Sequence, residues 1–341
     1  MTIEEIKEKI KKPEYDFLRT DSHLGDRVML LGLGGSYAYG TNIETSDLDV
    51  RGITLNSKEE LLTNVNFEQF TNTQTDTVIY SFNKMISLLS NMNPNTIEIV
   101  GLEPWQYLYI SPLGQELLNN KDMFISKKCV HTFGGYANAQ LYRLTQISAH
   151  ELSKTGLEKH ILKTLQHMQE NFTKEYSPFK EDGIKLYIDK SDREDREDEI
   201  FMDVRLSHYP LRDYLSMWNT LKNVTSEYNR LGKRNKKALE HNKISKHQMH
   251  LVRLYLMCFD ILEKHEIKTY RDKDHDFLME IRNGKYITED NQVLPEFFEI
   301  VDEFEKRLEY DAKNTDLPEN PDYKRINEFM VDVNSKTIVE G

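Results

Sequence analysis

The stretch Leu30 to Ile53, LLGLGGSYAYGTNIETSDLDVRGI, decides how this chain is read. An apolar run ends in glycines, Gly35-Ser36 follow, and Asp47 and Asp49 then stand one residue apart. "RVMLLGLGG" reads as a buried strand entering a loop. "YAYG" begins a short helix, and "SDLDVRGITL" alternates like a second strand. On a strand, side chains at i and i+2 share a face. Asp47, Asp49 and Arg51 are therefore expected to point into one cleft. Two adjacent carboxylates repel unless a cation lies between them. Hard oxygens of this kind suit Mg2+, which completes its shell with water and phosphate oxygens. Glycine lets the backbone approach a phosphate, and Ser36 adds a hydroxyl donor. The plainer alternative is a tight turn before a polar strand end, because turns favour Gly, Ser and Asp. It leaves two acids and an arginine in an otherwise apolar strand with no partner to offset their burial.

Commoner loop motifs fit worse. A P-loop requires lysine after its last glycine, and Thr41 stands there after Gly40. The dinucleotide fingerprint fails at Tyr37, which occupies the third glycine position. The serine elbow fails at Ala38.

Outward from this segment, residues 1–12 read as a short amphipathic helix and "TDTVIYS" as a third strand. "SFNKMISLLSNM" has helical period and is stopped by "NPN". From about residue 120 the apolar spacing is largely helical. "KSDREDREDEIF" reads as a solvated loop or edge, and the proline-containing tail after Asn314 is expected to fray. These readings give an α+β chain, a small mixed sheet with helices followed by a mainly helical domain. The expected divisions are 1–120, 121–313 and a polar tail 314–341.

The spacing Gly35-Ser36, ten residues, Asp47-Leu-Asp49 resembles the signature of the DNA polymerase β-like nucleotidyltransferase superfamily. The longer string "GGSYAYGTNIETSDLDVRG" is similar to its branch of predicted nucleotidyltransferases associated with RNA repair. "DTVIYSFNKMISLLSNMNPNTIEIV", "FGGYANAQLYRL", "SKHQMHLVRL" and "FLMEIRNGKY" resemble later segments of that branch. The charged insert near 175–205 stands outside the resemblance. The resemblance implies that Asp47 and Asp49 ligate two Mg2+ ions, with Mn2+ as a substitute. It implies that Gly35 and Ser36 hold the β- and γ-phosphates of an NTP. Asp76, opening "TDTVIYS", matches the third carboxylate, which helps hold the metal and activates the acceptor hydroxyl. Glu98 in "NPNTIEIV" is the fallback. The acceptor implied is an RNA 3′ end, such as a damaged tRNA. Nucleotidylation of a protein or small molecule, and nucleotide binding without transfer, are the alternatives.

Other residues carry weaker signals. Arg51 suits a phosphate ligand or a salt-bridge partner of the aspartates equally. Lys246, His250 and Arg253 share one helical face and could grip a triphosphate or an RNA backbone, although such a stripe is more often a solvated face. Tyr136 and Gln140, one turn apart, suit a base contact or interhelical packing.

Composition sets limits. The net charge of -12 argues against indiscriminate phosphate-driven binding to nucleic acid. "RLGKRNKKALEHNKISKHQMHLVR", with Lys233, Arg234, Lys236 and Lys237, nonetheless offers a local basic groove. Two cysteines, Cys129 and Cys258, give no disulfide framework and fit a reducing cytoplasm. No secretory leader or run of about 18 apolar residues is apparent, so no membrane partner is expected.

Overall fold

A computed structural model describes residues 1–149, 184–190, 198–204, 244–288 and 293–340, with the single positions 215, 218 and 222. The first apolar run forms β1 (Val28–Leu33), buried along its whole length. It lies inside a five-stranded sheet of order β3-β4-β2-β1-β5. The other strands are β2 (Val50–Thr54), β3 (Gln69–Asn72), β4 (Thr77–Ser81) and β5 (Tyr107–Ile110). β2 and β4 run parallel, and the other neighbours are antiparallel, so the sheet is mixed. The chain is thus the α+β protein expected, with a mixed sheet in its N-terminal part and a helical C-terminal region.

By internal contacts the chain divides into two units. The first is 1–138, 249–281 and 299–341, and the second is 139–248 and 282–298. The first unit carries the sheet. Helix α1 (Ile3–Lys9) opens with a capping box between Thr2 and Glu5. Helix α2 (Gly35–Tyr39) follows β1, and α3 (Phe82–Ser90) follows β4. Phe82, Met85, Ile86 and Leu89 fall on one side of α3 and are fully buried, as their spacing requires. Helices α4 (Lys128–Ala149) and α5 (Ile244–Lys264) supply Cys129 and Cys258 to this core as free thiols. A hydrogen bond to Cys129 and burial push the Cys258 thiol well up, which keeps it unreactive.

Four differences from the sequence reading have physical causes. The second strand begins at Val50, after the aspartates rather than before them. β1 ends where Gly34 leaves the sheet, and Gly34 N donates to the Asp49 carbonyl (2.9 Å) just before β2 begins. β3 and β5, the two edge strands, are four residues each and partly exposed, too short to leave a clear pattern in the sequence. The charged run near 190–201 is not only loop, because its last residues belong to an antiparallel hairpin, β6 (Ile184–Lys190) with β7 (Asp198–Val204), in the second unit. The segment after Asn314 does not fray. It forms a helix over Tyr323–Glu340 that buries Ile326 and Val333. Phe329 of that helix meets Phe82 edge-on at 5.9 Å, and Arg325 binds Asp122 at 2.6 Å. No helix among the described residues is long and apolar enough to cross a membrane.

In the second unit, Gln140 lies within hydrogen-bond distance of His247 Nδ1 (3.2 Å), and Gln248 Nε2 donates to the Tyr286 carbonyl (3.2 Å). Gln140 is therefore an interhelical contact. The basic run from Lys233 to Lys237 lies outside the described residues.

Candidate active site

The site is built where β1 passes into α2 and the chain re-enters the sheet at β2. Gly34 caps α2 and Gly35 is its first residue, with φ +53 in the left-handed region that favours glycine. A β-carbon on Gly35 would lie 2.0 Å from Asp49 Oδ2, and one on Gly34 would lie 2.8 Å from Arg51 Cγ. The paired glycines therefore serve the close approach of Asp49 and Arg51 as well as the turn. Ser36 is half-buried beside them, and Asp47 is exposed at the outer end of the loop.

Arg51, the second residue of β2, ties the site together. Its Nη2 donates to Asp49 Oδ1 (3.0 Å), and its Nη1 donates to the carbonyls of Asp76 (2.6 Å) and Val50 (3.0 Å). Of the two roles open to Arg51, the structure displays salt-bridge partner. Asp76 takes part through its backbone. It has φ +46, a conformation that aspartate tolerates better than most residues, and its carbonyl also accepts from Val50 N (3.2 Å). Its carboxylate is exposed, and its charge helps raise the Tyr15 hydroxyl after burial and Glu14. Among the described residues no group of three or more His, Cys, Asp and Glu side chains is arranged to hold a metal.

Glu98 is buried. It accepts from Tyr39 Oη at 2.7 Å. Burial raises its carboxyl, against the lowering effects of Arg253, the Tyr39 hydroxyl and Arg51, while Asp49 raises it further. Arg253 lies over the Tyr39 ring with its guanidinium carbon 3.4 Å from the centroid. It also donates from Nη2 to His250 Nδ1 (2.7 Å), while its Nε is buried without a hydrogen-bond partner. The solvated face favoured for this stripe thus holds for Lys246, which is exposed in the second unit, and fails for Arg253, which is 9% exposed. Tyr39 is the member of this group that the sequence reading missed. Inside "YAYG" it resembled an ordinary helix residue, and only its contacts distinguish it.

A mixed sheet that sets a glycine–serine helix start against an Asp-x-Asp segment is the arrangement of the polymerase β-like nucleotidyltransferases. Residues 5–174, about half of the chain, match the RlaP family, described as the RNA repair pathway DNA polymerase beta family. This part of the chain belongs to that family. No curated protein and no solved structure matches the chain.

Proposed function

We propose that the protein transfers a nucleoside monophosphate from an NTP to an acceptor hydroxyl and releases pyrophosphate. The observation that carries this reading is the contact of the Asp49 carboxylate with Gly35, which brings acid and phosphate loop together. In this reading the acceptor oxygen bonds to the α-phosphorus, the bond to the bridging oxygen of pyrophosphate breaks, and the hydroxyl proton leaves to solvent. Gly35 and Ser36 meet the β- and γ-phosphates. Arg253, which keeps one buried unpaired donor, and His250 beside it would contact the nucleotide in this reading. Asp47 and Asp49 would hold Mg2+, or Mn2+ in its place. Their oxygens fit a hard cation that takes its other ligands from phosphate and water. The ion would neutralise charge on the transferred group. A second ion would need a third carboxylate. Glu98, the other carboxylate considered for that role, is buried and accepts from Tyr39 Oη, whereas Asp76 offers its carbonyl to Arg51.

An RNA 3′ end as acceptor is supported by the RNA-repair description of the family. Labelled NTPs with Mg2+ or Mn2+ are to be offered to an RNA pool and, separately, to cell protein. Label in lengthened RNA is the expected outcome, and label in protein would redirect the reading to nucleotidylation. Normal incorporation by an Asp47→Ala/Asp49→Ala double variant would exclude the site.

A further inference from the structure

At the end of α2 opposite to Gly35 lies a cavity of about 340 Å3 lined by Tyr37, Gly40, Asn42, Trp105 and Tyr270 among others. Trp105 is 48% exposed and meets Tyr270 edge-on, with centroids 5.3 Å apart. Both rings are held by their neighbours rather than left loose. Gln106, buried and next to Trp105, donates from Nε2 to the carbonyls of Tyr37 (3.0 Å) and Ala38 (2.9 Å). Arg271, next to Tyr270, donates its backbone N–H to the carbonyl of Tyr39 (3.2 Å). The last carbonyls of α2 thus anchor both aromatic residues. Gly40, at φ +73, lets the Tyr270 ring lie against the helix end, since a β-carbon there would sit 2.5 Å from Tyr270 Cε2.

The chemistry of the lining narrows the ligand. Among the described residues the lining has no lysine or arginine; its one cation, the Met1 ammonium, already donates to Tyr37 Oη (3.4 Å), and Glu4 lies in the same lining, so the cavity is poorly suited to a phosphate. It has an exposed indole, a phenol ring and the Asn42 amide, which together suit an uncharged heteroaromatic ring with hydrogen-bonding edges. The volume lies within the ordinary range of about 300–1,000 Å3 for small-molecule sites.

From this juxtaposition we infer that the Trp105–Tyr270 cavity binds an unpaired nucleobase, stacked on Trp105 and read by Asn42. The inference rests on the transferase reading for its substrate class, while its test reads binding without transfer. The chain has two tryptophans, Trp105 and Trp218, so in the full-length Trp218→Phe variant emission reports on Trp105 alone. That variant is to be titrated with a single-stranded oligoribonucleotide, with an abasic oligomer of equal length, and with ATP. Saturable quenching by the oligoribonucleotide and not by the abasic oligomer is expected. Quenching by ATP as well would identify the base of the NTP as an occupant of the same site. In the otherwise native chain, Trp105→Ala should weaken oligoribonucleotide binding by about 5- to 150-fold, and Trp105→Phe should recover part of the loss. Equal quenching by base-bearing and abasic oligomers, or none by either oligomer or ATP, overturns the inference. Transfer without base-dependent quenching removes the cavity and leaves the transferase reading intact. Base-dependent quenching without transfer to any acceptor does the reverse.

Discussion

Asp49 Oδ2 occupies the space that a β-carbon on Gly35 would need, 2.0 Å away, so the acid and the loop glycine are built as one object. Gly35→Ala must either move the carboxylate or distort α2. The left-handed conformation alone costs about 1–2 kcal/mol for a residue with a side chain. Loss of nucleotide incorporation together with a measurable drop in the urea midpoint is expected. An active, equally stable Gly35→Ala protein would contradict the close approach.

Arg51 bridges Asp49 to the Asp76 carbonyl. Arg51→Ala should cost about 1–3 kcal/mol, toward the lower end because the pair is about a quarter exposed. Arg51→Lys keeps the charge but cannot donate to both partners in a fixed fork, so it should recover stability only in part. Chemical denaturation of the three proteins checks the order native, lysine, alanine.

Glu98 carries a pH dependence with a definite sign. Burial raises its carboxyl above the ordinary range, so the folded chain holds this proton more tightly than the unfolded chain. Its contribution to stability is therefore full below the ordinary carboxylate pKa and is lost as pH rises through the raised value. Tyr39→Phe removes the hydroxyl that favours the ionised form, raises the carboxyl further and should cost about 1–3 kcal/mol near neutrality. Stability measured across pH should show a larger loss on the alkaline side in Tyr39→Phe than in the native chain, and parallel curves would refute the assignment.

The C-terminal helix is load shared between packing and charge. Ile326 is 2% exposed, and Ile326→Ala should destabilise by about 2–5 kcal/mol. The Arg325–Asp122 pair is largely exposed and should contribute about 1 kcal/mol or less. Arg325 holds the Asp122 carboxyl below its usual value, so this small term is present above the ordinary carboxylate pKa and fades as pH falls through the lowered one. Thermal unfolding of Ile326→Ala and Arg325→Ala at neutral and acid pH would separate the two contributions.

Apolar runs and helical spacing marked β1, β4 and α3 because each buries a continuous face, and such faces leave a periodic trace in sequence. β3 and β5 left almost none, since an edge strand with one partner has less surface to bury. The C-terminal helix did leave a trace, with Ile326, Phe329 and Val333 at helical spacing, but the surrounding polar residues and Pro318 and Pro321 masked it.

The mixed fold, the glycine–serine turn and the two aspartates were determined by the sequence alone, because their chemistry is local and their spacing is short. The rest of the site belongs to the tertiary structure. Tyr39, Glu98 and Arg253 are separated by up to 214 positions in the chain, and no pattern joins them. Burial makes them a unit. Glu98 and Arg253, both removed from water, each meet Tyr39, the acid at its hydroxyl and the guanidinium over its ring, and only the folded chain brings them to it.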